Sequence, residues 1–114
     1  PHLVPMNRGE LVTSHLKLNK QIELNEIIQI YNSIYCNDNF INIMSNGNVP
    51  NTINVRGTNN CDIAVIPGRV DQTLTVISAI DNLVKGSSGQ AIQNMNLIYG
   101  WPEELGLGHM SIFP

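Results

Sequence analysis

"CDIAVIPGRVDQTLTVISAI", residues 61–80, contains two runs rich in β-branched residues, Cys61–Ile66 and Thr73–Ile80. Residues of this kind favour strands, and each run has the length of an ordinary strand. Pro67, Gly68 and Asp71 lie between the runs and are turn formers. The stretch therefore predicts an antiparallel hairpin with a loop of medium length.

Two further strands and one helix are predicted upstream of this hairpin. Residues 11–19, "LVTSHLKLN", alternate in the manner of a half-buried strand, and "FINIM" at 40–44 is a short apolar run before a loop of turn formers at 45–51. Between these strands, apolar residues recur at helical spacing and predict an amphipathic helix. They are Leu24, Ile27, Ile28, Tyr31, Ile34 and Tyr35.

A second helix is predicted downstream of the hairpin, from about Ser88 to Tyr99, with Gly100 at the position of a left-handed C-terminal cap. The resulting order is strand, helix, strand, hairpin, helix. This order predicts a single α+β domain over residues 1–114, with a mostly antiparallel or mixed sheet and helices on one face. The apolar face of the second helix is predicted to consist of Ala91, Ile92, Met95 and Ile98.

Composition limits the class of protein. The 114 residues suffice for one small domain, and 42% are hydrophobic while 13% are charged. The formal net charge is −3 and no basic stripe is present, so we expect no nucleic-acid partner. No apolar run is long enough to span a bilayer, so we expect no membrane partner. Two cysteines, Cys36 and Cys61, suit a reducing cytoplasm and are predicted to be ordinary buried thiols.

Residues of the types used in catalysis and metal binding are few and scattered. His2, His15 and His109 lie far apart, and neither cysteine belongs to a C-x-x-C pair, so no metal site is predicted. No G-x-S-x-G elbow or phosphate P-loop occurs. Cys61 has no charged neighbour of the kind that activates a thiol, so we expect it to be inert and assign no catalytic residue.

Two stretches are candidates for binding. Arg8 in "PMNRG" carries a fork of donors suited to a carboxylate or a phosphate, although it is equally well explained as a surface arginine. In "VKGSSGQAIQNMNLIYG", residues 84–100, two serines and two glycines precede a helix rich in amides. The serines are explained either as helix caps or, together with Gln90 and Asn94, as part of a site for a polar ligand.

Four stretches together resemble the C-terminal part of the N-acetyl-gamma-glutamyl-phosphate reductase family. They are "PHLVPMNRG", "GTNNCDI", "IDNLVKGSSGQAIQNMNLIYG" and the closing "GL…IFP". The resemblance runs nearly end to end, and the segment from Ile80 to Leu97 is its most specific part. The chain departs from the family pattern at Asn7, Glu10 and Ser87, none of which removes a known chemical group.

The resemblance implies a fold like the C-terminal domain of glyceraldehyde-3-phosphate dehydrogenase. It also implies that the intact enzyme uses NADPH to reduce an acyl phosphate to a semialdehyde in arginine biosynthesis, in the cytoplasm and as a homo-oligomer. The family's cysteine nucleophile and its Rossmann domain belong to an N-terminal part that has no counterpart in these 114 residues. The chain by itself is therefore predicted to be a fragment without activity.

The resemblance further implies that Asn82, Gly86, Ser87 and Gln90 bind the NADP cofactor, and that the helix within residues 86–100 packs on the Rossmann domain. His2 and Arg8 are the corresponding predictions for the acyl-phosphate substrate. The alternative is a non-catalytic dimerisation or interaction module that has the same fold.

Overall fold

The structure is a computed structural model that describes residues 1–2, 4–45, 47–108 and 110–111. His109 and the closing "IFP" lie outside the described residues. The secondary-structure elements are, in order, β1 (Glu10–Lys17), α1 (Leu24–Tyr35), β2 (Ile41–Met44), α2 (Thr52–Val55), β3 (Cys61–Pro67), β4 (Thr73–Ile80), a π-helical turn (Val84–Ser88) and α3 (Gly89–Ile98).

The four strands form one sheet in the order β1-β4-β3-β2. β4 pairs antiparallel with both β1 and β3, whereas β2 pairs parallel with β3. The predicted hairpin is confirmed, and its loop closes with a hydrogen bond from Gly68 N to Thr73 O of 2.9 Å. The predicted α+β fold with a mixed sheet is confirmed as well. The short helix α2 was not predicted, because four residues are too few to show a helical period.

Helix α1 has the predicted bounds and packs on the sheet. Its Ile27 forms the core with Val65 of β3 and Leu74 of β4, all less than 9% exposed. The apolar stripe of α1 extends beyond the part of the helix that packs on the sheet, as the 62% exposure of Ile34 shows. The prediction that Ile34 belongs to the packed face is therefore wrong for this chain.

The C-terminal helix begins earlier than predicted and is not capped by serine. The π-helical turn runs directly into α3, and the side chain of Ser88 donates to Leu83 O at 2.8 Å instead of capping a helix N–H. Asp81 takes the capping role, since its carboxylate accepts from the N–H groups of Leu83 and Val84. The prediction for Gly100 is confirmed by its φ of 68°.

Helix α3 buries polar residues and exposes apolar ones. Gln93 and Asn96 are 8% and 1% exposed, whereas Met95 is 42% and Ile98 80% exposed. The residues predicted to be its apolar face thus have no cover within the described chain. None of the described helices is long and apolar enough to cross a membrane.

The two cysteines lie in different environments. Cys36 is exposed, so the prediction that it is buried is wrong; it sits just past the end of α1, beyond the packed turns. Cys61 opens β3 and is partly buried. Burial raises the pKa of the Cys61 thiol and Asp62 adds to this, while Lys85 acts in the opposite direction. Cys61 is therefore protonated at neutral pH, as expected of an inert thiol.

Candidate functional site

Asp81 lies at the centre of the candidate site and is fully buried (0% exposed). Its Oδ1 accepts from Leu83 N at 2.8 Å and from Val84 N at 3.2 Å. Its Oδ2 accepts from Gly57 N at 2.7 Å and from Arg8 Nη2 at 2.9 Å. One carboxylate therefore connects the N-terminal segment, the second residue after α2 and the mouth of the C-terminal helix.

The charge on Asp81 is stabilised by these donors. Burial alone raises the pKa of a carboxyl group. Here the backbone N–H groups of Gly57, Leu83 and Val84, together with the Arg8 guanidinium, outweigh burial and hold the pKa of Asp81 below its ordinary value. The anion expected at this helix mouth is thus part of the protein itself.

A second contact fixes the N-terminal segment to the helix mouth. Gly9 N donates to Asn82 Oδ1 at 2.7 Å. Gly9 has a φ of +110°, and a Cβ there would come within 2.7 Å of Thr52 Cβ. Glycine is required at this position both for its backbone conformation and for the close approach of α2. The contact brings Arg8 and Asn82, two of the residues predicted to form the site, to the same end of β1.

A small cavity of about 260 Å³ lies beside Arg8. Arg56, which follows α2, also lines it and is partly buried. In the described part of the chain Arg56 forms no salt bridge. The remaining lining residues are Pro5, Met6, Asn7, Thr52 and Ile53.

The other predicted cofactor residues face outward. Gly86 and Ser87 are exposed in the π-helical turn, and Gln90 Nε2 donates to Asn94 Oδ1 at 3.1 Å on the surface of α3. A Cβ on Gly86 would meet only ordinary contacts, the nearest being Ile80 Cδ1 at 3.4 Å. Gly86 is therefore not required for packing within this chain.

Gly89 is the glycine on which the packing depends. A Cβ there would overlap Asn59 Oδ1 and come within 2.7 Å of Val84 Cγ1 and 2.8 Å of Val84 O. Beneath α3, Gln93 accepts from Asn59 at 2.9 Å and from Lys85 Nζ at 2.8 Å. The amides on this buried face of the helix thus bind other parts of the chain itself.

Lys85 is held inside this polar cluster. Burial lowers the pKa of Lys85, while Cys61 and Glu103 act to raise it. Its Nζ lies 5.5 Å from the centre of the Phe40 ring, a distance at which a cation and an aromatic face attract. Glu103 accepts from Gln93 Nε2 at 2.5 Å, so the chain after α3 is tied to the same cluster.

No contact among the described residues brings His2 to the helix mouth. Its Nε2 lies 2.7 Å from Thr13 Oγ1, and its backbone N–H donates to Leu11 O at 3.0 Å. These contacts place His2 alongside β1. Nothing in the described residues tests its predicted role toward substrate.

Asp81, Arg56 and Gly57 are the residues of this site that sequence reasoning missed. An aspartate immediately before a helix is a recognised capping signal, so Asp81 was open to prediction. No local pattern identifies Arg56, because its neighbours in space come from distant parts of the chain. Within the described residues, no three His, Cys, Asp or Glu side chains lie together as a metal site.

Comparisons with known proteins complete the description of the site. A family model described as "Semialdehyde dehydrogenase, dimerisation domain" matches residues 1–82. The relatives that match all 114 residues of this chain include three from Geobacter metallireducens, Staphylococcus saprophyticus and Arabidopsis thaliana, each named N-acetyl-gamma-glutamyl-phosphate reductase, the plant protein as a probable, chloroplastic one. Identity is 46% to the Geobacter metallireducens protein, 46% to that of Staphylococcus saprophyticus and 42% to that of Arabidopsis thaliana. The chain covers 33%, 33% and 28% of them, and so spans about a third of the length of these curated relatives.

Proposed function

The chain belongs to the semialdehyde dehydrogenase dimerisation-domain family, and from that premise we propose that it is the C-terminal part of a reductase. The intact enzyme would convert N-acetyl-gamma-glutamyl phosphate to N-acetyl-glutamate semialdehyde with NADPH, in the cytoplasm and as a homo-oligomer. The observation that carries the proposal is the match of all 114 residues to reductases of that name at 42–46% identity. The choice of NADP rests on the family resemblance.

The structure supports a division of labour within the chain. The family match ends at residue 82, two residues before the π-helical turn begins at Val84. After that point α3 exposes Met95, Leu97 and Ile98, the last to 80%. An uncovered apolar face of this kind marks an interaction surface. We assign it to the Rossmann domain of the same chain, as the resemblance implies.

The residues at the helix mouth have properties that suit a cofactor wall. Gly86 and Ser87 are exposed, and among the described residues the Gln90 amide has a single hydrogen bond, to Asn94. Asn82 is less available to the cofactor, because its Oδ1 already accepts a hydrogen bond from Gly9 N. NADPH supplies the hydride when it is bound. The part of this chain is to present these side chains and the open backbone at Gly86 to one edge of the cofactor.

On the substrate side, Arg8 is the stronger of the two assigned residues. Asp81 holds one end of its guanidinium, so the group is fixed in direction before any ligand arrives. His2 keeps its assignment from the resemblance alone. Neither Cys36 nor Cys61 is assigned as nucleophile, and we expect residues 1–114 alone to have no reductase activity. NADPH oxidation in the presence of the acyl phosphate measures this directly.

Gln90 offers the sharpest test of the cofactor assignment. In the full-length enzyme, Gln90→Ala should weaken NADPH binding by about 1 kcal/mol, the usual net worth of one hydrogen bond. Asn94→Ala is the matched control, because it removes the same Gln90–Asn94 hydrogen bond and leaves the Gln90 side chain in place. Wild-type NADPH affinity in Gln90→Ala, or an equal loss in both variants, would return Gln90 to an ordinary surface role.

The second candidate function is a non-catalytic dimerisation or interaction module. The exposed face of α3 favours it, since that face fits a partner protein as well as a Rossmann domain. Assay of the full-length chain separates the two functions. Acyl-phosphate-dependent oxidation of NADPH identifies the reductase, and its absence from a folded full-length protein favours the module.

A further inference from the structure

We propose that Arg8 and Arg56 together form a binding site for a phosphate-class oxyanion, in the cavity between the N-terminal segment and α2. The proposal rests on the proposed function, which it deepens by adding Arg56 and by naming the ligand class. The sequence alone predicts Arg8 but not Arg56, and leaves open whether Arg8 binds a carboxylate or a phosphate.

The hydrogen bonding of Arg8 is incomplete. Its Nη2 is engaged by Asp81 at 2.9 Å, but its Nε is buried and has no acceptor among the described residues. A buried donor without an acceptor is destabilising, and more so on a charged group. Arg8 also lines the cavity and its side chain is 30% exposed, so the guanidinium N–H groups that Asp81 leaves free can donate to an oxyanion bound there. The ion pair with Asp81 also keeps the guanidinium from turning away.

Asp81 also positions Arg56, through a hydrogen bond to the neighbouring residue Gly57. Gly57 N donates to Asp81 Oδ2 at 2.7 Å, and Val55 on the other side of Arg56 is fully buried. The backbone of Arg56 is therefore anchored at both sides. Its side chain lines the cavity and forms no salt bridge in the described part of the chain.

The charges favour an anion in this cavity. Two guanidinium groups and no carboxylate are among the described residues that line the cavity, and Asp81, the partner of Arg8, already accepts four hydrogen bonds. The site thus has an uncompensated positive charge. One free arginine fork suffices for a carboxylate, whereas two arginines match the charge and the extra oxygens of a phosphate.

The size of the cavity limits the ligand. A volume of about 260 Å³ admits a phosphate group with a short acyl chain. It is smaller than the roughly 300–1,000 Å³ of sites that enclose a drug-sized ligand, so a whole dinucleotide does not fit. Two sources share this chemistry: the phosphoryl group of the substrate and the inorganic phosphate released from it.

Calorimetric titration of the full-length protein with inorganic phosphate tests the site. Arg56→Gln should weaken phosphate binding about tenfold, a loss typical of one charge-assisted contact. Arg69→Gln is the matched control, because Arg69 is exposed in the β3–β4 loop and lines a different cavity. The proposal is overturned if the wild type binds no phosphate, if Arg56→Gln binds it as tightly as the wild type, or if Arg69→Gln weakens binding equally.

Arg56→Lys keeps the positive charge and guards against a folding defect in Arg56→Gln. It should bind phosphate with an intermediate Kd at an unchanged Tm, because the ammonium group lacks the planar fork. If Arg56→Lys binds phosphate as tightly as the wild type, the planar guanidinium of Arg56 is not needed for binding.

Steady-state kinetics identify the source of the ligand. A KM for the acyl phosphate raised about tenfold in Arg56→Gln assigns the site to the substrate's phosphoryl group, and an unchanged KM with weakened phosphate binding assigns it to the released phosphate. If the full-length wild type has no reductase activity, the proposed function is wrong. The phosphate titration would still show whether the anion site exists.

Discussion

Asp81 shows how much of this structure depends on one side chain. It is fully buried, pairs with Arg8 and accepts three backbone N–H groups from two other segments. A buried carboxylate remains ionised only when hydrogen bonds and an opposite charge compensate for lost hydration. A single ionised group therefore couples the first turn of the C-terminal helix, the second residue after α2 and the N-terminal segment.

Asp81→Asn tests this coupling. Asparagine remains a good helix cap, so the contacts to Leu83 and Val84 should largely persist. The ion pair with Arg8 is lost, and hydrogen bonds to charged groups each contribute about 1.5–3 kcal/mol. Because Arg8 is 30% exposed, we expect a loss near the lower end, about 2 kcal/mol at pH 7. Urea unfolding measures it, and a loss below about 0.5 kcal/mol would contradict the coupling.

The effect of Asp81→Asn on the free energy of unfolding should depend on pH. The folded-state pKa of Asp81 is lowered, so its ionised form contributes its full stability above the unfolded pKa of about 3.9. That contribution disappears as the pH falls through the folded-state pKa. The difference in unfolding free energy between wild type and Asp81→Asn should therefore narrow below about pH 4. A constant difference between about pH 6 and pH 3 would show that ionisation of Asp81 is not its source.

The two glycines of the helix mouth should respond differently to alanine. At Gly89 the new methyl group overlaps Asn59 and Val84, so Gly89→Ala should destabilise by about 2 kcal/mol. At Gly86 the methyl group has room, and alanine in a helical turn should be neutral or stabilising by up to about 1 kcal/mol. Thermal unfolding checks both. Weaker NADPH binding in a fully stable Gly86→Ala enzyme would support backbone approach to the cofactor at that glycine.

Helix α3 has one polar face that packs on this domain and one apolar face that is suited to packing on a second domain. Its inner face makes hydrogen bonds through Gln93 and Asn96, and Asn96 Nδ2 donates to the carbonyls of Glu103 and Leu105 at 3.0 Å each. Its outer face and the segment after it expose Ile98, Tyr99 and Trp101, the two rings stacked 5.1 Å apart. Buried amides fix the helix to this domain by directional contacts. The apolar face remains available for another body.

Ile98→Gln tests the outer face in the full-length protein. If Ile98 is buried against the rest of the chain, its replacement should cost about 1.5–3 kcal/mol, the value of burying such a side chain. Ile34→Gln on α1 is the matched control, since Ile34 is also largely exposed at 62%. We expect the control to change stability by no more than about 0.5 kcal/mol. Equal effects in chemical denaturation would remove the case for docking through α3.

At the scale of the whole molecule, the chain combines open sheet edges with an uncovered helix face. β1 and β2 are the edge strands, and the outer half of β1, Ser14–Lys17, is exposed. His15 and Lys17 in that half are polar, which gives partial protection against edge pairing. The family description as a dimerisation domain agrees with a surface of this kind.

Residues 1–114, purified alone, should self-associate at micromolar concentration through the sheet or α3. Exposed apolar surface at α3 supplies the driving force, and the low charged fraction of 13% opposes it weakly. Sedimentation velocity measures the mass. A lower mass in Ile98→Gln assigns the contact to α3, and an unchanged dimer assigns it to the sheet. A strictly monomeric wild type would refute the prediction.

Sequence determined the elements whose signals are local. The helical spacing of Leu24, Ile27 and Ile28 located α1, and the β-branched run Thr73–Ile80 located the central strand β4, because periodicity depends only on neighbouring residues. The positive φ of Gly100 followed from its place after a helix. Family membership was equally accessible, since the resemblance lies in ordered strings of residues.

Only the tertiary structure decided which groups meet. Gly9 contacts Asn82 across 73 positions, and Arg8 finds its counter-charge in Asp81, pairings that no local period encodes. The burial of Gln93 rather than Ile98 likewise showed which face of α3 lies against this domain. Hydrophobic periodicity identifies an apolar face but not the body that covers it. For α3 the cover within this chain is a set of hydrogen-bonding groups, which a polar residue satisfies better than an apolar one.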